Sequence, residues 1–390
     1  MDKRKKGSNS TQKAKKSKVT EESSFDAQFA YLKDDVDPAP EVYTKKPVQP
    51  TEVKPGQLTP KQVDEYFDKG FLLVKDFFKP ERLNKVRKAV DQLVDELVNK
   101  LYDAGKIKDK HADKDFFTRL SYIEKQFKGT SVILHKRGVL HDEFKALWSD
   151  DKLLNVVEQL IGPDIAGHPV WNLRTKTPHN EQATVPWHQD NAYLEPRSLE
   201  VHQLTAWIPL VDANMVNGCM QLATGGHRAG KTLKHTCCAG GTWYVEMQEK
   251  DLDQLGVDAS KDIVTCEVPY GGVLFLNNAI PHQSLENLSD IIRWSLDLRW
   301  QRPDKPNGFY GIKDCVVMRK KDDPKYVIDW SELSGCCRSQ LQMKKVDEDD
   351  TDLHPEIAGP WMKRWDIVHH NRHTELLNHH KDTYTSWHKA

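Results

Sequence analysis

Between Pro186 and Tyr193 the chain reads Pro-Trp-His-Gln-Asp-Asn-Ala-Tyr, and the His188-Gln189-Asp190 at its centre constrains the fold more than any other stretch. Strand side chains alternate faces, so an imidazole and a carboxylate two positions apart point the same way and can grip one ion. Two ligands do not complete a site. Far downstream, Ala279-Ile280-Pro281-His282-Gln283-Ser284 offers a second imidazole, followed by the alternating run Ile292-Arg293-Trp294-Ser295-Leu296-Asp297-Leu298. Two histidines and one carboxylate on one face of Fe(II), with the opposite face open to a 2-oxo acid and dioxygen, suit non-haem oxygen chemistry. A dicarboxylate co-substrate also needs a cation at its far end. Arg293, eleven residues after His282, offers a two-pronged contact that lysine matches less well, and Ser284 stands on the same strand side as His282 to share that carboxylate.

The rest of the chain supplies the support such a site needs. Thr59 is placed to cap a short helix with Pro60 at its first position, and Gly70 ends it before the apolar run Phe71 to Val74. From Pro80 onward Leu83, Val86, Val90, Leu93, Val94, Leu97, Val98 and Leu101 recur at helical spacing, which predicts a long helix with one buried stripe packed across a sheet. Helical patterns and polar turns continue to the Gly162-Pro163 breaker. Beyond it come short strand-like runs: Val170 to Thr175, Val201 to Leu210, Met220 to Ala223, Ile263 to Val268, Gly272 to Leu276 and Arg293 to Trp300. The expected fold is mainly β with bracing helices, a jelly-roll, cupin-like barrel with the three ligands at its mouth.

We expect residues 1–56 to be a disordered basic tail and proline-rich linker, 57–305 the catalytic domain (helices over 57–162, barrel over 163–305), and 306–390 an extension packed on the barrel. The basic runs Lys3 to Lys6 and Lys13 to Lys18 read as solvated charge, with a nuclear-import role as the sharper alternative. A net charge of -1 over 390 residues gives no global field for nucleic acid, and no run is apolar enough to span a membrane. An intracellular, cytoplasmic location is expected. Seven cysteines, with adjacent pairs Cys237-Cys238 and Cys336-Cys337, make a poor disulfide framework, so reduced thiols are expected.

On these residues the chain resembles the phytanoyl-CoA dioxygenase family of Fe(II)/2-oxoglutarate oxygenases. The resemblance runs from about Leu58 to Trp300, through Leu58-Thr59-Pro60, Trp187 to Tyr193, Leu204 to Leu210, Asn217-Gly218-Cys219-Met220, Gly225-Gly226-His227 and Pro281 to Ser284 with Arg293. It implies a double-stranded β-helix, decarboxylation of 2-oxoglutarate to succinate and CO2, and oxidation of an unactivated C–H bond in a small organic substrate, with ascorbate as a possible reductant. By position it makes His188, Asp190 and His282 the iron ligands and Arg293 with Ser284 the co-substrate clamp. Trp207, Asn172 and Lys176 match positions lining the same pocket. Gly225-Gly226-His227 and Gly271-Gly272 depart from the family's usual turns. The carboxylate of Asp190 argues against halogenation.

Two rival readings stay open. One is a cupin-like metal enzyme that does not use 2-oxoglutarate, and the other is a catalytically silent binding protein on the same fold. His227 and His202 read as structural histidines. His369 and His373, with His379-His380, form a tail cluster lacking the acidic general base of a zincin. Substrate choice is assigned to the segments 103–138 and 224–259, neither of which carries a decodable signature.

Overall fold

The computed structural model of the chain describes residues 30–33, 35–331, 333, 353–355, 357–371 and 373–374. The expected tail over 1–24, Cys336-Cys337, Trp387 and His379-His380 lie outside the described residues. The first helices are α1 (Pro40–Thr44) and α2 (Pro60–Lys69). The second is closed by a reciprocal capping box between Thr59 and Gln62 and by Gly70 at φ 88°, a left-handed turn that favours glycine. Then come β1 (Phe71–Val74), the 24-residue α3 (Pro80–Asp103), α4 (Arg119–Gln126), α5 (Thr130–Arg137), α6 (Asp142–Trp148) and α7 (Asp151–Ile161).

The strands that follow are short: β2 (Ile165–Gly167), β3 (Asn172–Lys176), β4 (Leu204–Pro209), β5 (Met220–Ala223), β6 (Thr236–Cys237), β7 (Val245–Glu246), β8 (Ile263–Cys266), β9 (Val273–Asn277), β10 (His282–Ser284) and the longer β11 (Arg293–Gln301). After them lie β12 (Val316–Arg319), α8 (Trp361–Arg364) and β13 (Asp366–Ile367). A seven-stranded sheet runs β1-β9-β4-β11-β2-β12, with β3 also paired to β11, and a second sheet runs β10-β5-β8. The two sheets form a jelly-roll sandwich rather than a barrel closed by hydrogen bonds. A small third sheet, β13-β6-β7, stands beside it.

Alternation along the strands decides what faces what. Leu204, Ala206 and Ile208 of β4, Val273 and Phe275 of β9, and Trp294, Leu296, Leu298 and Trp300 of β11 share one apolar cluster with Leu83, Val90, Leu97 and Leu101 of α3. The helices therefore cover the outer face of the large sheet, as the stripe on α3 predicts. The opposite face packs Trp207, Leu274 and Leu276 against Met220, Leu222 and Cys266 of the second sheet. On β11 the residues between the apolar ones are Arg293, Ser295, Asp297 and Arg299, and all four are buried. Charged side chains are almost never fully buried unless paired, so this inner face marks the site.

Three expectations need correction. The linker does not run to residue 56: Tyr43 is fully buried and its hydroxyl donates to the Leu199 carbonyl at 2.7 Å, while Leu32 packs with Trp361 and Met362. Proline content restricts a segment without stopping it from docking where an apolar side chain finds cover. Cys237 and Cys238 are joined to each other in a disulfide within an apolar cluster, not free thiols, whereas Cys219, Cys266 and Cys315 are free. His369 and His373 do not stand together as a cluster: His369 is exposed while His373 is buried, its ring 5.8 Å from that of Trp243. Among the described residues no helix is long and apolar enough to cross a membrane.

Four buried histidines outside the proposed ligand set make the fold sensitive to acid. Burial pushes His168 and His227 down to about 4 and His202 and His235 to about 3. Two of them also act as acceptors in the neutral form: His168 Nδ1 accepts from the Val170 N–H, and His235 Nε2 accepts from the Gln189 N–H. A folded pKa below the unfolded value of 6.5 means that the unfolded chain binds the extra proton. Stability is then complete above about pH 6.5 and falls as the pH drops toward 4, by about 1.4 kcal/mol per pH unit for each such group. Urea unfolding between pH 7.5 and 5 should show the midpoint falling steeply below pH 6.5.

Candidate metal centre

The ligand loop is built so that its outer residues converge while its middle one is anchored away from them. Gln189 is extended (φ -111°, ψ 137°), which turns His188 and Asp190 to one side, and Asp190 then opens a 3-10 turn to Tyr193. The Gln189 side chain points the other way and is fully buried. Its amide donates to the Lys231 and Ala279 carbonyls at 2.9 and 2.7 Å and accepts from the Leu233 N–H at 2.8 Å. The second histidine is brought up by the chain itself. His188 and His282 exchange backbone N–H···O bonds of 2.9 Å in an isolated antiparallel bridge. Asn277 Oδ1 accepts from the Ala279 and Ile280 N–H groups, fixing the turn before His282.

His188, Asp190 and His282 present one ligand atom each, all within 4.8 Å of one another, and no other such group of three occurs among the described residues. His188 Nδ1 lies 2.8 Å from the Pro186 carbonyl and His282 Nδ1 3.0 Å from the Ile280 carbonyl. Carbonyls only accept, so each Nδ1 carries the proton and each Nε2 keeps its lone pair. Those Nε2 atoms stand 3.7 and 3.9 Å from Asp190 Oδ1. Burial, then the neighbouring His188, pushes His282 down to about 4, so it is a neutral imidazole, as a ligand must be.

Asp190 is held from behind. Its Oδ2 accepts from Arg299 Nη2 at 2.9 Å and Nε at 3.2 Å, which leaves Oδ1 for the histidine side. Burial alone would push this carboxyl up. Arg299 and the two imidazoles outweigh it and hold the group well below the usual carboxylate range. Asp297 Oδ2 lies 3.9 Å from Arg299 and accepts from Arg174 Nε at 2.8 Å, so a buried charge chain runs Asp190, Arg299, Asp297, Arg174.

The cavity beside the ligands is lined by Arg293, Ser284 and Trp207 together with His188, Asp190 and His282. Arg293 donates to Ser295 Oγ at 2.8 Å, lies 5.2 Å from the Trp207 ring centroid, and has a buried Nε without a hydrogen-bond partner. Burial lowers its pKa to about 10, which leaves it a cation at neutral pH. Asn172 and Lys176 do not line this cavity. Asn172 donates to Asp297 Oδ2 at 3.3 Å, Lys176 donates to the Leu285 carbonyl, and they line two adjoining cavities. His227 is structural, its Nε2 donating to the Phe67 carbonyl at 3.0 Å, and His202 stacks on Tyr66.

Sequence reading missed Gln189, Arg299, Asp297 and Arg174. The β11 alternation places Asp297 and Arg299 on the inner face with Arg293, a signal that was present but unused. Arg174 becomes visible only through the antiparallel register that sets it opposite Ser295. Residues near the C-terminus also reach the ligand loop. Arg364 donates to the Asn191 and Leu194 carbonyls at 2.6 and 2.7 Å, and Trp365 Nε1 to the Ala192 carbonyl at 2.8 Å, so they brace the turn that carries Asp190.

Two imidazoles and a carboxylate at the mouth of a jelly-roll sandwich, with a buried arginine in the same cavity, make this an iron- and 2-oxoglutarate-dependent dioxygenase. The chain belongs to the phytanoyl-CoA dioxygenase (PhyH) family, whose model matches residues 66–295. A phytanoyl-CoA dioxygenase of Arabidopsis thaliana is 26% identical over 293 residues, covering 70% of this chain and 98% of its own length. The phytanoyl-CoA dioxygenase domain-containing protein 1 of Danio rerio is 25% identical over 265 residues, covering 60% of this chain and 87% of its own. Among solved structures, the non-haem monooxygenase ThoJ in its apo form overlays with a TM-score of 0.47 at 19% identity, over 68% of this chain and 86% of its own.

Proposed function

We propose that the protein hydroxylates a C–H bond of a small organic molecule, with 2-oxoglutarate and dioxygen consumed and succinate, CO2 and the alcohol released. One oxygen atom of dioxygen goes to the substrate and the other to succinate, and the hydrogen taken from carbon ends in the new hydroxyl. Bound at His188, Asp190 and His282, Fe(II) would supply the oxidising chemistry.

The observation that carries this reading is the donor set. Two imidazoles have their Nδ1 protons committed to carbonyls and their Nε2 atoms turned to one carboxylate oxygen, in a cavity that also holds an arginine with an unpartnered Nε. In this reading Arg293 and Ser284 grip the distal carboxylate of 2-oxoglutarate, and Trp207 fixes the guanidinium plane by cation–π contact. Arg299 keeps Asp190 ionised and presents a single oxygen. Residues 57–305 form the catalytic unit, with the described part of 306–390 as its cover.

The test is succinate release from 2-oxoglutarate in the presence of Fe(II) and ascorbate. Activity should vanish on dialysis against a chelator, return with Fe(II), and not return with Zn(II), which has no redox chemistry. Succinate formation that persists without Fe(II) would overturn the assignment.

A further inference from the structure

We propose that the oxidised substrate is an anionic compound with an aromatic or flat apolar body, its carboxylate or phosphate docked on Arg174 and its body held against Trp243 and Tyr244. This rests on the reading above, because it concerns the second ligand of the same site.

The three cavities around the metal centre meet at Arg174, which lines all of them. Its Nε is committed to Asp297 at 2.8 Å, and among the described residues Asp297 is the one carboxylate that it pairs with. The terminal nitrogens of the fork are thus left for Tyr244 and for the cavity, and the side chain is 24% exposed, enough to be reached. The largest cavity, about 1020 Å³, opens from this point. Among the described residues its wall carries Lys106, Lys128, Arg174, Lys176 and Arg293 against one carboxylate, Glu124, whose oxygens already accept from the Gly129 and Ser131 N–H groups. A chain of net charge -1 has no general excess of cations to place there. Arg293 is taken by 2-oxoglutarate in our reading, so the remaining imbalance calls for a second anion.

The body of the ligand follows from the other walls. Trp243 and Tyr244 pack at 4.7 Å between ring centroids and line both outer cavities, and the smaller one is closed by Tyr193, Phe309 and Trp361 next to Asp190. A flat apolar group seated on these rings lies beside the metal ligands, while an anionic substituent reaches Arg174.

The test uses the full chain loaded with Fe(II) and saturating 2-oxoglutarate under anaerobic conditions, with phenylacetate, phenyl phosphate and the neutral phenylacetamide as probes and tryptophan fluorescence as the readout. We expect saturable binding of at least one anion, at least tenfold tighter than the amide. The preferred anion separates a carboxylate substrate from a phosphate one. In Arg174→Gln the preference for the anion over the amide should disappear, and Arg174→Lys should restore part of it. Equal binding of amide and anions, no saturable binding of either anion, or an anion preference that survives in Arg174→Gln would each overturn the proposal. So would displacement of the probe by further 2-oxoglutarate, which would reassign Arg174 to the co-substrate. Failure of the parent reading shows separately, as absence of Fe(II)-dependent succinate release in the wild type.

Discussion

His282→Ala is expected to abolish iron-dependent succinate release and to weaken Fe(II) binding by well over the 10–100-fold that loss of a residue merely supporting a ligand costs. The fold should survive the change. His282 gives the protein one side-chain hydrogen bond, to the Ile280 carbonyl, and its backbone bridge to His188 does not need the imidazole. The measurement is therefore a pair: isothermal titration of Fe(II) under anaerobic conditions, and thermal unfolding with and without the metal. Wild type should gain stability on adding Fe(II), because a ligand that binds only the folded state raises the midpoint. The variant should unfold as the metal-free wild type does and gain nothing. A variant that still binds Fe(II) with wild-type affinity would remove His282 from the ligand set.

Arg293→Ala should raise the KM for 2-oxoglutarate about 100-fold, as loss of a charge-assisted contact worth about 3 kcal/mol requires. Here the rival readings part. A metal enzyme that does not use 2-oxoglutarate would turn over unchanged, and a silent binding protein would show no turnover to lose. Removing a buried guanidinium also leaves a gap beside Trp207, so Arg293→Lys is the better-folded companion. It should recover part of the affinity, since the charge returns without the planar fork. Direct binding of 2-oxoglutarate to both variants distinguishes lost recognition from lost chemistry.

What the sequence made legible was local in origin. The histidine and carboxylate of the ligand loop stand two residues apart, and the stripe on α3 and the alternation on β11 are periodic within one element, so neither needs tertiary knowledge. Thr59 and Gly70 announce the two ends of α2 by the chemistry of the residues themselves. What escaped depends on register and distance. Arg299 reaches Asp190 only because β11 carries both Arg293 and Arg299 on its inner face, and Arg174 joins them through the pairing of β3 with β11. Tyr43 and Leu32 sit in stretches whose prolines and charges read as linker, and their burial is decided by partners elsewhere in the chain. Asn172 and Lys176 border the cavities that adjoin the one holding the ligands, for a related reason. Position in a strand says which face a residue shares, not which of several adjoining cavities that face borders.

The bracing of the Asp190 turn by Arg364 and Trp365 sets the order of events during synthesis. Arg364 donates to the Asn191 carbonyl across a sequence separation of 173, so a ribosome releases the ligand loop long before it releases the clamp that steadies it. Until then the ligand loop has its Gln189 and Arg299 contacts but lacks the clamp on the turn from Asn191 to Leu194. Competence to take up iron should accordingly arrive late, and a chain stalled before Trp361 would have every strand of its two large sheets yet hold the ion poorly.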